Sequence, residues 1–304
     1  MNHQDFQAFE RYRTIIPDVE AFLKALGQPL PTFIRVNTLK IAVEPFQNSM
    51  AGNGYVLERT PGMEVAFRLH GSATPGSTLE YFLGYYHVQG LTSMLPPRIL
   101  NPQPEERVLD LCAAPGGKAT YLAQLMQNRG VVVANDFRRS RLRILRSHID
   151  RLGTTSLLIS CYQGQEFPKR ILFDKILLDP PCSAEGTYRS GLQRPLSENP
   201  NVVKRLSQLQ RHLLRRALDL LRKDGTLVYS TCTYAPEENE AVIDEVLRNG
   251  QAEILPISIP LPHSQGLTSW EGERFHPDMT KAVRIYPHQI NSWGFFIAHL
   301  RKQS

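Results

Sequence analysis

The chain has 304 residues, of which 41% are hydrophobic and 21% charged, and its formal net charge is +6 at pH 7. This composition excludes intrinsic disorder and a coiled coil, and the length predicts one large globular domain or a large and a small one. No apolar run approaches the ~18 residues that a membrane helix needs, and the start lacks the layout of a signal peptide. We therefore expect a cytoplasmic protein without a membrane anchor, and the positive charge is compatible with a polyanionic partner.

The first 95 residues differ in pattern from the rest of the chain. They predict a charged helix over 5–13, a second helix after Pro17 and a strand over 32–37, followed by mixed turns. We interpret residues 1–95 as a small α+β unit that precedes a main domain over 96–304.

From Arg107 onward, short β-branched apolar runs alternate with amphipathic stretches, which is typical of βα units and a mostly parallel sheet. The predicted strands cover 107–112, 130–136, 156–160, 173–179, 226–231 and 293–300, and the predicted helices cover 118–127, 138–152, 203–221 and a segment after Pro236; residues 255–287 are predicted to be loops. Ligands of such sheets gather at the carboxyl ends of the strands. We therefore expect Cys112, Asp136 and Asp179 to line one crevice.

The four cysteines, Cys112, Cys161, Cys182 and Cys232, are dispersed and form no CxxC pair. This spacing argues against a disulfide framework and against a zinc site. We expect no metal, and a reducing compartment fits best.

The turn after the first predicted strand reads Asp110-Leu-Cys-Ala-Ala-Pro-Gly-Gly-Lys118. Its small residues let the backbone approach a ligand closely. The turn is neither a GxGxxG fingerprint nor a P-loop, because Ala119 stands where a P-loop has Ser or Thr. A nucleoside without phosphates fits better. Asp136, at the end of the next strand, is placed to accept hydrogen bonds from ribose hydroxyls. Its alternative role is that of a helix N-cap, and the glycine turn favours the nucleoside.

Two further segments place thiols beyond strand ends. Asp179-Pro-Pro-Cys182 combines a carboxylate and a thiol on a backbone fixed by prolines, although a lone cysteine there is more often structural. Cys232 lies between hydroxyl residues ahead of a predicted helix N-terminus, which favours a reactive thiol. It is improbable that two of only four cysteines would lie at the same sheet edge by chance.

These motifs resemble the Sun/Fmu family of S-adenosylmethionine-dependent RNA cytosine-C5 methyltransferases. The resemblance covers most of the chain and rests on Arg35-Val-Asn-Thr-Leu-Lys40, Gly84-Tyr-Tyr-His-Val-Gln89, Cys112-Ala-Ala-Pro-Gly-Gly-Lys118, Asp179-Pro-Pro-Cys-Ser183, Ser230-Thr-Cys-Thr-Tyr234, Glu237-Glu-Asn-Glu240 and Gly294-Phe-Phe-Ile-Ala298. It implies a Rossmann-like methyltransferase sheet with helices on both faces and an antiparallel last strand, behind a small α+β N-terminal domain.

The resemblance also implies a cofactor site for S-adenosylmethionine. The residues expected to hold the methionine part are Cys112, Ala113, Ala114, Pro115, Gly116, Gly117 and Lys118. Asp136 is expected to hold the ribose and Arg141 to lie near the adenosine. Gln163 replaces the family's usual acidic residue near the adenine, which puts cofactor affinity in question. Asp179 is expected to face both the cofactor and the target base. Ser183-Ala184 replaces a frequent Ser-Gly, which stiffens the loop slightly.

The chemistry explains why two thiols are needed. C5 of cytosine is too electron-poor to attack a methyl group, and a thiolate that adds to C6 activates it. The family assigns this attack to the position of Cys232 and assistance in release to that of Cys182. Asp179 would hydrogen-bond the Watson–Crick edge of the base. The cytosine must first be unstacked.

The expected partner is RNA, either rRNA or tRNA, and a monomer is the default. Arg189 and Arg194 lie beside the predicted site and are candidates for phosphate contacts. The arginines of the predicted helix 138–152 have two interpretations, an RNA-binding surface and a solvated helix face. By resemblance, the N-terminal unit adds RNA surface.

Three alternatives remain open at this point. An amino-group methyltransferase also uses an Asp-Pro-Pro turn, but has an aromatic residue where this chain has Cys182. An RNA-binding assembly factor could retain the fold without catalysis, which the intact pair of cysteines disfavours. The two thiols could also exchange roles, with Cys182 attacking the base.

Overall fold

The computed structural model describes residues 9–71, 74–189 and 200–303. The α-helices are α1 Val19–Leu26, α2 Val43–Gly52, α3 Leu79–Phe82, α4 Leu95–Leu100, α5 Gly117–Leu125, α6 Arg139–Leu152, α7 Pro200–Leu220, α8 Glu240–Arg248 and α9 Pro287–Ile290. The strands are β1 Phe33–Val36, β2 Val56–Thr60, β3 Met63–His70, β4 Tyr86–Val88, β5 Arg107–Asp110, β6 Val131–Asn135, β7 Leu157–Ser160, β8 Phe173–Leu178, β9 Leu221–Thr231, β10 Ala252–Leu255, β11 Ser264–Gln265, β12 Ser269–Trp270, β13 Glu273–Arg274, β14 Val283–Ile285 and β15 Phe295–Lys302.

The chain forms two compact units. The parallel unit comprises Pro31–Leu177 with Ile259–Leu261, and the antiparallel unit comprises the described parts of Met1–Leu30, Leu178–Ser258 and Pro262–Ser304. Among the described residues, no helix is both long enough and apolar enough to cross a membrane.

In the parallel unit, β5 lies between β8 and β6, β7 follows on the far side of β6, and all four strands are parallel. Leu109 pairs with Val133 on one side and with Ile176 on the other. The apolar residues of the inner strand β5 and of β8 are buried because a parallel sheet is covered on both faces, whereas Leu158 and Ile159 of β7 are exposed. The crossovers β5-α5-β6 and β6-α6-β7 confirm the predicted βα alternation.

A second sheet in the same unit has the order β2-β3-β1-β4. The pairs β2–β3, β3–β1 and β1–β4 are all antiparallel. Ile34, Phe46, Phe67 and Tyr86 form its core. We expected only mixed turns after the first strand here, and that expectation was wrong. The strand β2 is an exposed edge rich in polar residues, so it lacks the apolar alternation by which strands are recognised.

In the antiparallel unit, β15 pairs with β9 along six residues and with β14 and β10, all antiparallel. This pairing confirms the predicted antiparallel last strand. The predicted loop region over 255–287 contains β11 to β14, which are only two or three residues long. Strands this short carry too few residues to show a period of two.

The first described residues belong to the antiparallel unit. Where a helix over 5–13 was predicted, the described part has one 3₁₀ turn, Glu10–Tyr12, and residues 5–8 lie outside the described part. Tyr12 is buried and donates a hydrogen bond to Glu185 Oε2 at 2.8 Å. Phe22 packs edge-on against Tyr234. The division of the chain at residue 95 stays a prediction.

Candidate active site

The glycine turn connects β5 to α5 in the parallel unit. Ala113 N donates to Asn135 O at 2.7 Å, which ties the turn to the end of β6. Gly116 has φ +111°, and a Cβ there would lie 2.5 Å from Leu145 Cδ1. The turn therefore packs directly against α6 and only glycine fits at this point.

Asp136 follows β6 and is almost fully buried. Its Oδ1 accepts from Arg138 N at 2.9 Å, and its Oδ2 pairs with Arg141 Nη1 at 2.9 Å. Arg141 also donates to Ala114 O. The N-cap of α6 is Arg138 rather than Asp136, which removes the alternative role considered for this carboxylate. Asp136, Arg141 and the glycine turn thus form one connected group.

Asn135 is a site residue that the sequence analysis missed. Its Nδ2 donates to Leu111 O at 3.1 Å and to Tyr162 O at 3.0 Å, and its Oδ1 accepts from Tyr162 N at 2.9 Å. The side chain therefore holds the loops after β5 and β7, the two strands that flank β6. A polar residue at the end of an apolar strand was the available signal. Gln163 is exposed, and its Oε1 accepts from Gln165 Nε2 at 2.8 Å.

Arg35 of β1 is a second residue that was missed as part of this site. Its guanidinium is fully buried, donates to Thr120 Oγ1 at 3.0 Å and lies 4.5 Å from the ring centre of Tyr121. Thr120 Oγ1 in turn donates to Gly116 O at 2.8 Å. Burial lowers the pKa of Arg35 to about 9. A relay of hydrogen bonds therefore runs from the antiparallel sheet of this unit into the glycine turn.

The antiparallel unit brings the two predicted thiols together. The Sγ atoms of Cys182 and Cys232 are 3.4 Å apart, and both residues are partly buried. The hydrogen bond with Cys232 and burial raise the pKa of Cys182 well above its ordinary value. The two cysteines therefore contact each other, whereas their chemical roles stay predictions.

Backbone contacts hold the two cysteine segments against each other. Gly186 N donates to Cys232 O at 2.8 Å, and the hydroxyls of Ser183 and Thr233 are hydrogen-bonded at 2.6 Å. A Cβ on Gly186 would lie 2.5 Å from Gly294 O. Asp179 Oδ1 accepts from Ser230 Oγ at 3.1 Å. The thiols therefore sit on segments with little freedom to separate.

Glu238 is a third residue that was missed, although it lies within a motif of the resemblance. It is completely buried, and its carboxylate accepts from Ser183 N at 3.1 Å and from Gln210 Nε2 at 2.7 Å. Gln210 Nε2 also donates to Pro181 O at 2.9 Å. Burial raises the pKa of Glu238 to about 7.

Of the two arginines predicted to contact RNA, Arg189 and Arg194, the structure describes only Arg189. Arg194 lies outside the described residues. Arg189 is 2% exposed, and its guanidinium donates to Tyr188 O at 2.9 Å and to Ser292 O. These bonds favour a role in holding the loop around Ser292, and the phosphate contact stays a prediction. On α6, Arg139, Arg143 and Arg146 are exposed, as a solvated face requires.

Two family models match consecutive parts of the chain. A family model described as 16S rRNA methyltransferase RsmB/F matches residues 97–301. The chain belongs to this family. A second model, the N-terminal domain of 16S rRNA methyltransferase RsmF, matches residues 5–90. These matches confirm the resemblance to the Sun/Fmu family and the predicted fold class with its separate N-terminal domain.

Individual relatives match along almost the whole chain. The human 28S rRNA (cytosine(4447)-C(5))-methyltransferase is 38% identical over 95% of this chain, which spans only 36% of that protein. The tRNA (cytosine(49)-C(5))-methyltransferase of Pyrococcus abyssi is 36% identical, and the alignment covers 96% of this chain and 94% of that one. NSun6 from Pyrococcus horikoshii, solved with SFG, has a TM-score of 0.85 at 25% identity, with 100% and 98% of the two chains covered.

Proposed function

We propose that this protein transfers a methyl group from S-adenosylmethionine to C5 of a cytosine in RNA. The observation that carries the proposal is the 3.4 Å separation of the Cys182 and Cys232 Sγ atoms. The names of relatives support the class of reaction, since they describe cytosine-C5 methylation of rRNA and of tRNA. The substrate is accordingly rRNA or tRNA.

In this proposal Cys232 is the nucleophile. Its thiolate forms a bond to C6 of the cytosine, which breaks the conjugation of the ring and makes C5 able to accept a methyl group. Asp179 accepts a hydrogen bond from the Watson–Crick edge of the base. When bound, S-adenosylmethionine supplies the methyl group. The proton on C5 then passes to water, its electron pair re-forms the C5–C6 double bond, and the bond between C6 and the Cys232 sulfur breaks.

Cys182 assists the release of Cys232. A thiol 3.4 Å from the departing sulfur can pass its proton to that sulfur as the bond to C6 breaks. This role requires Cys182 to carry a proton during the step, in agreement with the raised pKa of its thiol.

The residues of the glycine turn fit the cofactor assigned to them. Gly116 and Gly117 let the turn pack closely against the protein around it, because a Cβ would lie 2.5 Å from Leu145 Cδ1 at Gly116 and 3.3 Å from His87 Nε2 at Gly117. The turn over 112–118 would hold the methionine part. Asp136 would hold the ribose, because each carboxylate oxygen can accept a second hydrogen bond beside those from Arg138 and Arg141. Arg141 and Gln163 would lie near the adenosine.

The test is transfer of a labelled methyl group from S-adenosylmethionine to cellular RNA that lacks the modification. Label in 5-methylcytidine supports the proposal, and label in an N-methylated base overturns it. Fractionation of the RNA into rRNA and tRNA then identifies the substrate.

The division of labour between the thiols needs its own test. Cys182→Ala should accumulate a covalent protein–RNA complex that survives a denaturing gel, because release is impaired. Cys232→Ala should form none. Cys161→Ala is the matched control, since Cys161 is exposed and its Sγ lies 3.8 Å from the backbone oxygen of Phe137; it should behave like the unaltered protein. Adducts that require Cys182 instead would show that the two thiols have exchanged roles.

A further inference from the structure

Cys182 and Cys232 are chemically identical and lie side by side, yet the proposed reaction gives them different tasks. One thiol must lose its proton to attack C6, and the other must keep its proton until release. A group that acts on one sulfur more than on the other has to make this difference. The described residues around the two thiols contain such a group.

Glu238 binds the backbone on both sides of Cys182. Its carboxylate accepts directly from the amide of the following residue, Ser183, at 3.1 Å. On the preceding side, Gln210 joins the carboxylate to Pro181 O through bonds of 2.7 and 2.9 Å. Glu238 and Gln210 are both fully buried. The loop that carries Cys182 is therefore built around a buried carboxyl group.

The contacts of Cys232 are of another kind. Its carbonyl accepts from Gly186 N at 2.8 Å, and the hydroxyl of the next residue, Thr233, bonds to Ser183 Oγ at 2.6 Å. The carboxylate of Glu238 accepts from Ser183 N and Gln210 Nε2, whereas its backbone is bonded to Tyr229 and Ala235. Among the described residues, these hydrogen bonds tie the charge to the Cys182 loop.

A negative charge beside a thiol disfavours the thiolate. The hydrogen bond with Cys232 and burial are the main reasons why the pKa of Cys182 is raised, and Glu238 and Asp179 add to the effect through their charges. Burial raises the pKa of Glu238 to about 7, so this carboxylate is charged in the alkaline range where thiols titrate. Other ionisable groups among the described residues around the thiols are Glu185, which faces Glu238, Tyr229, which Arg211 faces, and Tyr234, which faces Cys232.

We propose that Glu238 is a positioning residue that distinguishes the two thiols: it fixes the Pro181–Ser183 backbone, and its charge keeps the proton on Cys182. Cys232 is left as the thiol that releases its proton to water and attacks. The catalytic meaning of this difference rests on the proposed function, whereas the difference in thiol acidity does not.

The first experiment measures thiol acidity without RNA or cofactor. In a Cys232→Ala background, iodoacetamide alkylation of Cys182 is followed between pH 6 and 10 by mass spectrometry of its peptide, because the rate follows the thiolate fraction. Glu238→Gln should move the midpoint to lower pH. A shift of about one pH unit gives about a tenfold faster rate below the midpoint.

Two further variants separate charge from shape. Glu238→Asp retains the charge and should retain most of the high midpoint. Glu237→Gln is the matched control, because the adjacent Glu237 pairs with Arg11 instead of the Cys182 loop; its alkylation profile should equal that of the background. An unchanged midpoint in Glu238→Gln would overturn the proposal.

If Glu238→Gln fails to fold, the unaltered protein still provides a test. Cys232 should be alkylated before Cys182 at pH 8, and the reverse order would contradict the inference. Activity is a separate readout. Absence of 5-methylcytidine with the unaltered protein refutes the proposed function and leaves the alkylation result to decide about Glu238. With an active protein, Glu238→Gln should change the pH profile of kcat, whereas Glu237→Gln should not.

Discussion

The ion pair between Arg284 of β14 and Glu240 of α8 is buried and is bonded to the segment that follows Cys232. The side chains are 2% and 0% exposed, and Arg284 donates through Nε to Glu240 Oε1 at 2.6 Å and through Nη2 to Oε2. Arg284 Nη1 also donates to Tyr234 O at 3.0 Å, two residues beyond Cys232. Glu240→Gln removes the negative charge while it keeps nearly the same shape.

The expected cost follows from burial. Arg284 cannot give up its proton, so the variant leaves a buried guanidinium without its counter-ion. Removal of one partner from a buried ion pair costs about 3–5 kcal/mol of the free energy of unfolding. The bond to Tyr234 O remains, but a neutral carbonyl compensates only part of the lost charge interaction.

Urea titration followed by tryptophan fluorescence measures this loss, because Trp270 and Trp293 both belong to the antiparallel unit. The matched control is Glu253→Gln, which removes the acid of an exposed Arg301–Glu253 pair with side chains 45% and 42% exposed. The control should lose less than about 1 kcal/mol because solvent screens the pair. If Glu240→Gln loses no more than this control, the reasoning from burial is wrong.

Three other changes have defined outcomes. Asp136→Asn should weaken S-adenosylmethionine binding about 10- to 100-fold in a calorimetric titration, because charge-assisted hydrogen bonds are lost, while exposed Arg139→Ala should not. Gly116→Ala should cost about 1–3 kcal/mol of stability in thermal unfolding and weaken the same titration, since its Cβ would meet Leu145; retained stability would contradict the close packing. Burial raises the pKa of Glu238 from an ordinary 4.5 to about 7, so the folded state holds a proton that the unfolded chain releases, and stability falls as pH rises through this window. In Glu238→Gln the free energy of unfolding should fall by about 3 kcal/mol less over this range than in the unaltered protein. If it falls equally in both proteins between pH 5 and 8, the expected titration of Glu238 is refuted.

The sequence by itself determined the order of βα units and the position of the glycine turn. Strand β5, helix α5 and strand β6 begin and end within a few residues of the predicted bounds, because apolar periodicity, glycines and prolines act on neighbouring residues. It also indicated that Cys182 and Cys232 meet, since each follows a strand of the predicted sheet. The polar edge strand β2 left no such signal and was missed.

Tertiary structure alone decided the supporting contacts. Glu238 reaches Ser183 across 55 positions of the chain, and Arg35 reaches Thr120 across 85. No local pattern encodes these pairs, because they depend on how whole elements pack. Motifs therefore indicated the candidate thiols and the glycine turn from sequence, whereas the buried carboxyl and guanidinium groups that contact them became recognisable only once distances and burial were known.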